Sequence, residues 1–346
     1  MKNAKPFIAL ASFLLAVTLI IPALLVLPYK GDQASGKLGE DLRQAPTEKA
    51  NERSADAVVE VAVYRTAQQK IEKLTLNKYL EGVVAAEMPA EFEEEALKAQ
   101  ALTARTYIVQ QLLTKEKLGL PEGAQVTDTE IHQVFKSDEE LKRPKPIGWG
   151  ADYKWKKKKI KDAVRATDGQ ILTYNGKAID ATFFSTSNGY TENSEDYWKN
   201  TVPYLRSVES PWDKKSPKYK NQITISVQDF ESKLGVQIGN SETIGVIKER
   251  TAGNRVGTVD FNGKTLTGRE IRDELDLRSS DFSWERRGNE IIITTRGFGH
   301  GVGMSQYGAN GMAAEGKTYK EIVKYYYKGI DISKADGLLA TITAGK

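Results

Sequence analysis

Cysteine is absent from the 346-residue chain, and histidine occurs only twice, at His132 and His300. The first absence excludes disulfides, thiol chemistry and Cys-ligated zinc, whatever compartment the protein occupies. The second means that a zinc site joining His300 to His132 would have to draw on carboxylates. A hydrogen-bonding role for His300 is the simpler expectation, and neither a metal nor another cofactor is predicted. Charge of one sign is also scarce: the formal net charge is +4, and Lys2, Lys5 and Lys30 are the only charged side chains in the first thirty residues. The remaining body is close to neutral. That argues against nucleic acid as a partner, because neutralising phosphates needs a broad positive face.

One long apolar run is present. Phe7 to Leu27 carries no charge, follows Lys2 and Lys5, and is long enough to cross a bilayer as a helix. A cleaved signal peptide would have a shorter apolar region and a small-x-small site, so an uncleaved anchor is predicted over residues 1–30, with its positive end inside. Residues 31–56 are polar and aperiodic, a tether to an extracytoplasmic domain over residues 57–346.

The domain should be α+β: a helical segment near residues 76–112, a polar insertion near 115–160, a strand-rich lobe near 222–297, then a glycine-rich loop and C-terminal helix over 297–328. Ala57 to Tyr64 reads as a strand with Ile71 to Leu76 as its hairpin partner. In the helix that follows, Leu76, Leu80, Val83, Val84 and Glu87 share one face, so a carboxylate continues an apolar stripe. Pro89 ends the helix where Glu87 sits. Partial burial there raises a carboxyl pKa, as a proton donor near neutral pH requires; a structural ion pair or backbone amides would also explain the position. Glu91, Glu93, Glu94 and Glu95 suit the first turn of a second helix, which is thin with alanine. Arg105 lies within about 40° of Ala101 on its wheel and is expected to reach the groove beside Glu87.

Further on, the lysines of WGADYKWKKKKIK form either a solvated helix face or a patch for anionic polymer or lipid. Asn175-Gly176 marks a hairpin turn. Ser185, Thr186, Ser187, Asn188 and Tyr190 cluster hydroxyls, an amide and a ring, suited to a polyhydroxylated ligand. Residues 297 to 308 carry five glycines, implying close backbone approach or positive φ. Strand, glycine loop and helix also suggest a dinucleotide site, but the spacing G-x-G-x-G-x-G and the short remaining chain exclude it.

Two long stretches together carry a resemblance. YLEGVVAAEMP with LKAQALTARTY, and GHGVGMSQYGA, are similar to the stage II sporulation protein D and amidase-enhancer family, and SNGYTE resembles that family's polar loop. The resemblance spans roughly residues 57–335. It implies a peptidoglycan lytic transglycosylase of endospore-forming bacteria, acting during engulfment from the mother-cell membrane facing the forespore, with stage II sporulation proteins P and M as partners. It places the catalytic glutamate on Glu87 and a supporting arginine on Arg105. Ser185, Ser187, Asn188, Tyr190, Lys199, His300, Ser305 and Gln306 are then expected to hold glycan strands. Such an enzyme needs no second carboxylate, though Glu192, Glu195 or Asp180 could serve in a hydrolase. The alternative is a non-catalytic wall-binding activator of an amidase.

Overall fold

The computed structural model describes residues 59–114 and 119–344. The predicted anchor and tether lie outside these residues, and among the described residues no helix is long and apolar enough to cross a membrane. The expected hairpin is formed by β1 (Glu60–Arg65) and β2 (Lys70–Thr75), antiparallel with Val61 opposite Leu74, and β3 (Val126–Thr127) runs parallel beside β1. Helix α1 (Leu76–Glu87) starts on the Thr75 side chain, which accepts from the Lys78 amide. It stops at Met88, whose extended backbone (φ −128°, ψ 135°) is the conformation a residue before proline prefers. Helix α2 (Glu94–Leu113) carries Glu94 and Glu95 in its first turn, so Glu91 and Glu93 precede the helix proper.

The alanines make α2 the centre of the molecule. Ala96, Ala99, Ala101 and Ala104 are fully buried, and small side chains let neighbouring elements approach closely on several sides. The polar insertion contributes α3 (Asp138–Lys142) and then α4 (Tyr153–Ala166), which packs on both α1 and α2. The expected hairpin follows: β4 (Gln170–Tyr174) pairs with β5 (Lys177–Ala178) across Asn175 and Gly176, both at positive φ. Next come β6 (Phe183–Phe184) and the short α5 (Ser194–Tyr197).

The strand-rich lobe has its own core around Phe230, Val259, Phe282 and Ile291. Its strands are β7 (Lys220–Ser226), β8 (Val246–Arg250), β9 (Val256–Phe261), β10 (Lys264–Thr267), β11 (Phe282–Arg287) and β12 (Glu290–Arg296), with helices α6 (Val227–Leu234) and α7 (Gly268–Glu274). They form two antiparallel three-stranded sheets, ordered β10-β9-β8 and β11-β12-β7. The chain then returns to the large core through β13 (Met304–Ser305), α8 (Gln306–Ala314), α9 (Tyr319–Tyr326), β14 (Asp331–Lys334) and α10 (Asp336–Ala344). The single C-terminal helix expected after the glycine loop is thus two, separated by a Thr318 capping box that starts α9. Strand β13 pairs in parallel with β6, which joins the two polar loops of the sequence side by side.

Three lysines of the α4 run are spent inside the fold. Lys156 meets Glu91 at 2.5 Å, Lys157 meets Glu81 and Asp138 at 2.7 and 2.6 Å, and Lys159 donates to the Phe92 carbonyl at 2.5 Å. Lys154 and Lys158 stay exposed, with Lys158 paired to Asp162 at 2.6 Å, so the remaining side is a solvated helix face.

Candidate active site

Glu87 is half-buried at the last residue of α1. The segment after β3 closes over it: the Val134 amide donates to Glu87 Oε1 at 3.2 Å. That segment is fastened at several points. Gln133 accepts from the Tyr79 hydroxyl at 3.2 Å and lies 3.5 Å from the Ala104 carbonyl, and Phe135 stacks on Tyr79 with ring centroids 5.8 Å apart. Arg65 reaches Glu72, Asp128 and Glu140 at 3.0, 2.9 and 2.7 Å and lies over the Phe135 ring. Among the described residues no cation pairs with Glu87. Burial therefore dominates: desolvation pushes its pKa up to about 7, Glu130 adds repulsion, and the Val134 hydrogen bond only partly opposes them. A carboxyl in that range is available in both protonation states at neutral pH.

Arg105 is not in this groove. Its side chain is fully enclosed, with Nη1 2.7 Å from the Thr167 carbonyl and from Thr167 Oγ1, Nη2 2.9 Å from the Val164 carbonyl, and Asp168 at 3.5 Å. It satisfies the open carbonyls at the C-terminal end of α4, where a cation also complements the helix dipole. The helical wheel gave its direction correctly as inward but not the helix waiting there.

The serines and the amide of the polar loops also turn inward. Ser187, Ser210 and Ser305 donate to the Asp213 carboxylate at 2.7, 2.6 and 2.6 Å, and all four are fully buried. Burial raises the Asp213 pKa against these hydrogen bonds. Ser187 and Ser305 are therefore fasteners between loops rather than groups open to a glycan. Asn188 donates to the Gly253 carbonyl and to Asp281 at 2.9 and 3.0 Å, and Gln306, nearly buried, faces Gln100 at 3.5 Å. Sequence reasoning missed Asp213, whose turn Pro211–Lys215 carries no pattern that marks a buried acid.

Surface access is left to four of the expected residues. Ser185 and His300 are half-buried, and Lys199 and Tyr190 are exposed. His300 is ringed by Phe184, Tyr197 and Trp198 at 5.6, 5.7 and 5.4 Å, and its Nδ1 accepts from the Val302 amide at 3.1 Å. Desolvation, with help from Arg272 and Arg255, lowers its pKa to about 4, so the ring is neutral. Lys199 lines a cavity of about 590 Å³, and Tyr190 one of about 390 Å³; Glu87 lines neither. Of the other acids, Glu195 is held down to about 2 by Arg206, Glu192 is locked to Arg255 at 2.9 Å, and burial raises Asp180. Among the described residues no cluster could hold a metal ion.

The glycine loop behaves as its spacing requires. Gly301 has φ +90°, and a Cβ there would stand 2.4 Å from the Arg255 guanidinium carbon. Strand β13 follows this loop, and Asp213 ties its Ser305 to Ser187 of the other polar loop.

The segment from the end of β1 through β4, with α1, α2, the insertion and α4, defines a known class of domain: residues 64–174 match the family described as Stage II sporulation protein. Over nearly the whole chain and the full length of the relative, the sequence is 51% identical to stage II sporulation protein D of Bacillus subtilis (strain 168), and 50% identical to that of Bacillus amyloliquefaciens. It is also 30% identical to the amidase enhancer of Bacillus subtilis across 73% of this chain and 40% of that one. The chain belongs to the stage II sporulation protein D family.

Proposed function

We propose that this protein is a lytic transglycosylase of the sporulation cell wall, cutting the β-1,4 bond between N-acetylmuramic acid and N-acetylglucosamine. The observation that carries the reading is Glu87: a sheltered, unpaired carboxyl whose pKa stands at about 7. Protonated, it gives its proton to the glycosidic oxygen as the bond to C1 breaks. The C6 hydroxyl oxygen of the muramic residue closes on C1, and the Glu87 carboxylate takes the C6 proton. The product ends in a 1,6-anhydro ring, no water is consumed, and Glu87 finishes protonated. Because the nucleophile belongs to the substrate, one acid suffices, in contrast with the paired carboxylates of ordinary glycosidases.

In this reading residues 1–30 anchor the protein in the mother-cell membrane, the domain faces the forespore during engulfment, and stage II sporulation proteins P and M work beside it. The similarity to the amidase enhancer favours a second reading, in which the domain binds wall and stimulates an amidase without cutting glycan. To separate them, the full-length protein in detergent is incubated with peptide-stripped glycan strands and the ends are analysed by mass spectrometry. Ends lighter by one water than hydrolysis products, lost in Glu87→Gln, support the transglycosylase. Intact strands with wild type and variant alike, together with equal stimulation of an amidase, overturn it.

A further inference from the structure

A cavity of about 590 Å³ has no part in the chemistry assigned to Glu87. It lies where the polar loop and α5 meet the strand-rich lobe, between Tyr197, Trp198 and Lys199 on one side and Gly257, Thr258 and Thr267 on the other. At about 590 Å³ it falls within the size range of small-ligand sites, which favour such seams between packed units. We propose that it is a second carbohydrate-holding site, taking an uncharged, N-acetylated stretch of the same glycan strand; this rests on the glycan-cleaving reading of Glu87.

Three observations select that ligand. The first is a fixed aromatic wall. Tyr197 and Trp198 meet edge to face at 5.4 Å, Arg269 covers the Tyr197 ring at 4.5 Å, and Arg272 binds the Tyr197 hydroxyl at 2.8 Å. With Arg269 already over Tyr197 and His300 packed against both rings, Trp198 is held in place and loses little entropy when a flat sugar face stacks on it.

The second is the floor. Glu192 and Arg255 pair there at 2.9 Å with side chains 2% and 1% exposed, yet Glu192 Oε2 and Arg255 Nε and Nη2 have no hydrogen-bond partner. These atoms are themselves sealed from the cavity, so the floor offers a guest no free charge and favours a neutral ligand. The third is charge. The lining carries four basic and five acidic side chains, so neither a polyanion nor a polycation is favoured over a neutral guest.

The test uses the full-length Glu87→Gln protein, which cannot turn substrate over, and the β-1,4-linked N-acetylglucosamine tetramer as probe. Binding is followed by calorimetry and tryptophan fluorescence. Thr258→Trp fills the cavity from β9 while leaving Glu87 and its surroundings untouched, and Lys199→Ala alters an exposed position that folding does not depend on. The expected result is saturable binding, weakened at least tenfold by Thr258→Trp and severalfold by Lys199→Ala, with inorganic phosphate failing to compete. The proposal is overturned if the parent does not bind the tetramer, if phosphate displaces it, or if a folded Thr258→Trp protein binds unchanged. Should Thr258→Trp not fold, unchanged binding in Lys199→Ala overturns it alone. Anhydro ends made by wild type are scored separately: if they form while tetramer binding ignores the cavity, cleavage stands and the second site falls. If binding responds to the cavity but no anhydro ends appear, the reverse holds.

Discussion

Val134 donates its amide hydrogen to Glu87 Oε1 at 3.2 Å across 47 positions of sequence, tying the overlying segment to that carboxyl. A single amide steadies the group without ionising it. Burial outweighs the bond, and the pKa settles at about 7 against 4.5 for an ordinary glutamate.

The linkage between that pKa and folding gives the first prediction. The folded state binds the Glu87 proton more tightly than the unfolded state, so its contribution to stability is fully present below about pH 4.5 and lost as pH rises through about 7. Above that, ionisation in its shelter costs about 3 kcal/mol. Glu87→Gln keeps the acceptor for Val134 and removes the charge. It should melt several degrees above wild type at pH 8, with the gap closing toward pH 5, while anhydro-product formation disappears. Equal melting at both pH values would show that the carboxyl is not sheltered. In the wild type, glycan cleavage should fall as pH rises above about 7, because the proton donor is then lost.

Arg105 is expected to act through folding. Arg105→Lys cannot reach the Val164 carbonyl, the Thr167 carbonyl and the Thr167 hydroxyl together, and leaving buried acceptors unmatched costs about 1–3 kcal/mol each. Urea unfolding should therefore show a loss of roughly 2–4 kcal/mol. The product rate per folded molecule should be unchanged; a collapse of that rate in a fully folded sample would return Arg105 to the chemistry.

Asp213 should likewise prove structural. Asp213→Ala strips the acceptor from three buried serines and leaves a void against Tyr326, whose hydroxyl is 2.7 Å from Ser210 Oγ. A loss of about 3 kcal/mol is expected, measured as a lowered denaturation midpoint. Binding of the N-acetylglucosamine tetramer to the protein that remains folded should not change.

These cases show which features were legible in the sequence. The sheltered place of Glu87 at a helix end was, because both determinants are local: the apolar period that sets its face and Pro89 that ends its helix. The hairpin at Asn175-Gly176 was legible for the same reason, since positive φ is written into the residues themselves. Arg105 and the hydroxyl cluster were misread because their partners come from distant segments: Thr167 lies 62 residues from Arg105, and Asp213 lies 92 from Ser305. Polar side chains look alike in sequence whether they face a ligand or a buried carboxylate. The insertion was read only as polar, yet it supplies Val134 and Gln133, because a backbone amide leaves no mark in composition.

That insertion yields the last prediction. Gly82 on α1 lies beneath it, and a Cβ there would stand 2.2 Å from the Phe135 ring and 2.6 Å from the Lys136 carbonyl. Gly82→Ala gains about 1 kcal/mol of helix propensity but forces the segment outward, at about 1–3 kcal/mol of overpacking. Lifting it takes Val134 and the desolvating wall from Glu87 together. Desolvation is the larger influence, so the Glu87 pKa should fall toward its ordinary value. The high-pH limb of the cleavage profile should then move to lower pH, with activity near pH 5 largely retained. Arg65→Met, which releases Asp128 and Glu140, should move the limb in the same direction. If both variants fold and keep the wild-type limb, the segment does not set the acidity of Glu87, and its shelter must come from α1 and α2 alone.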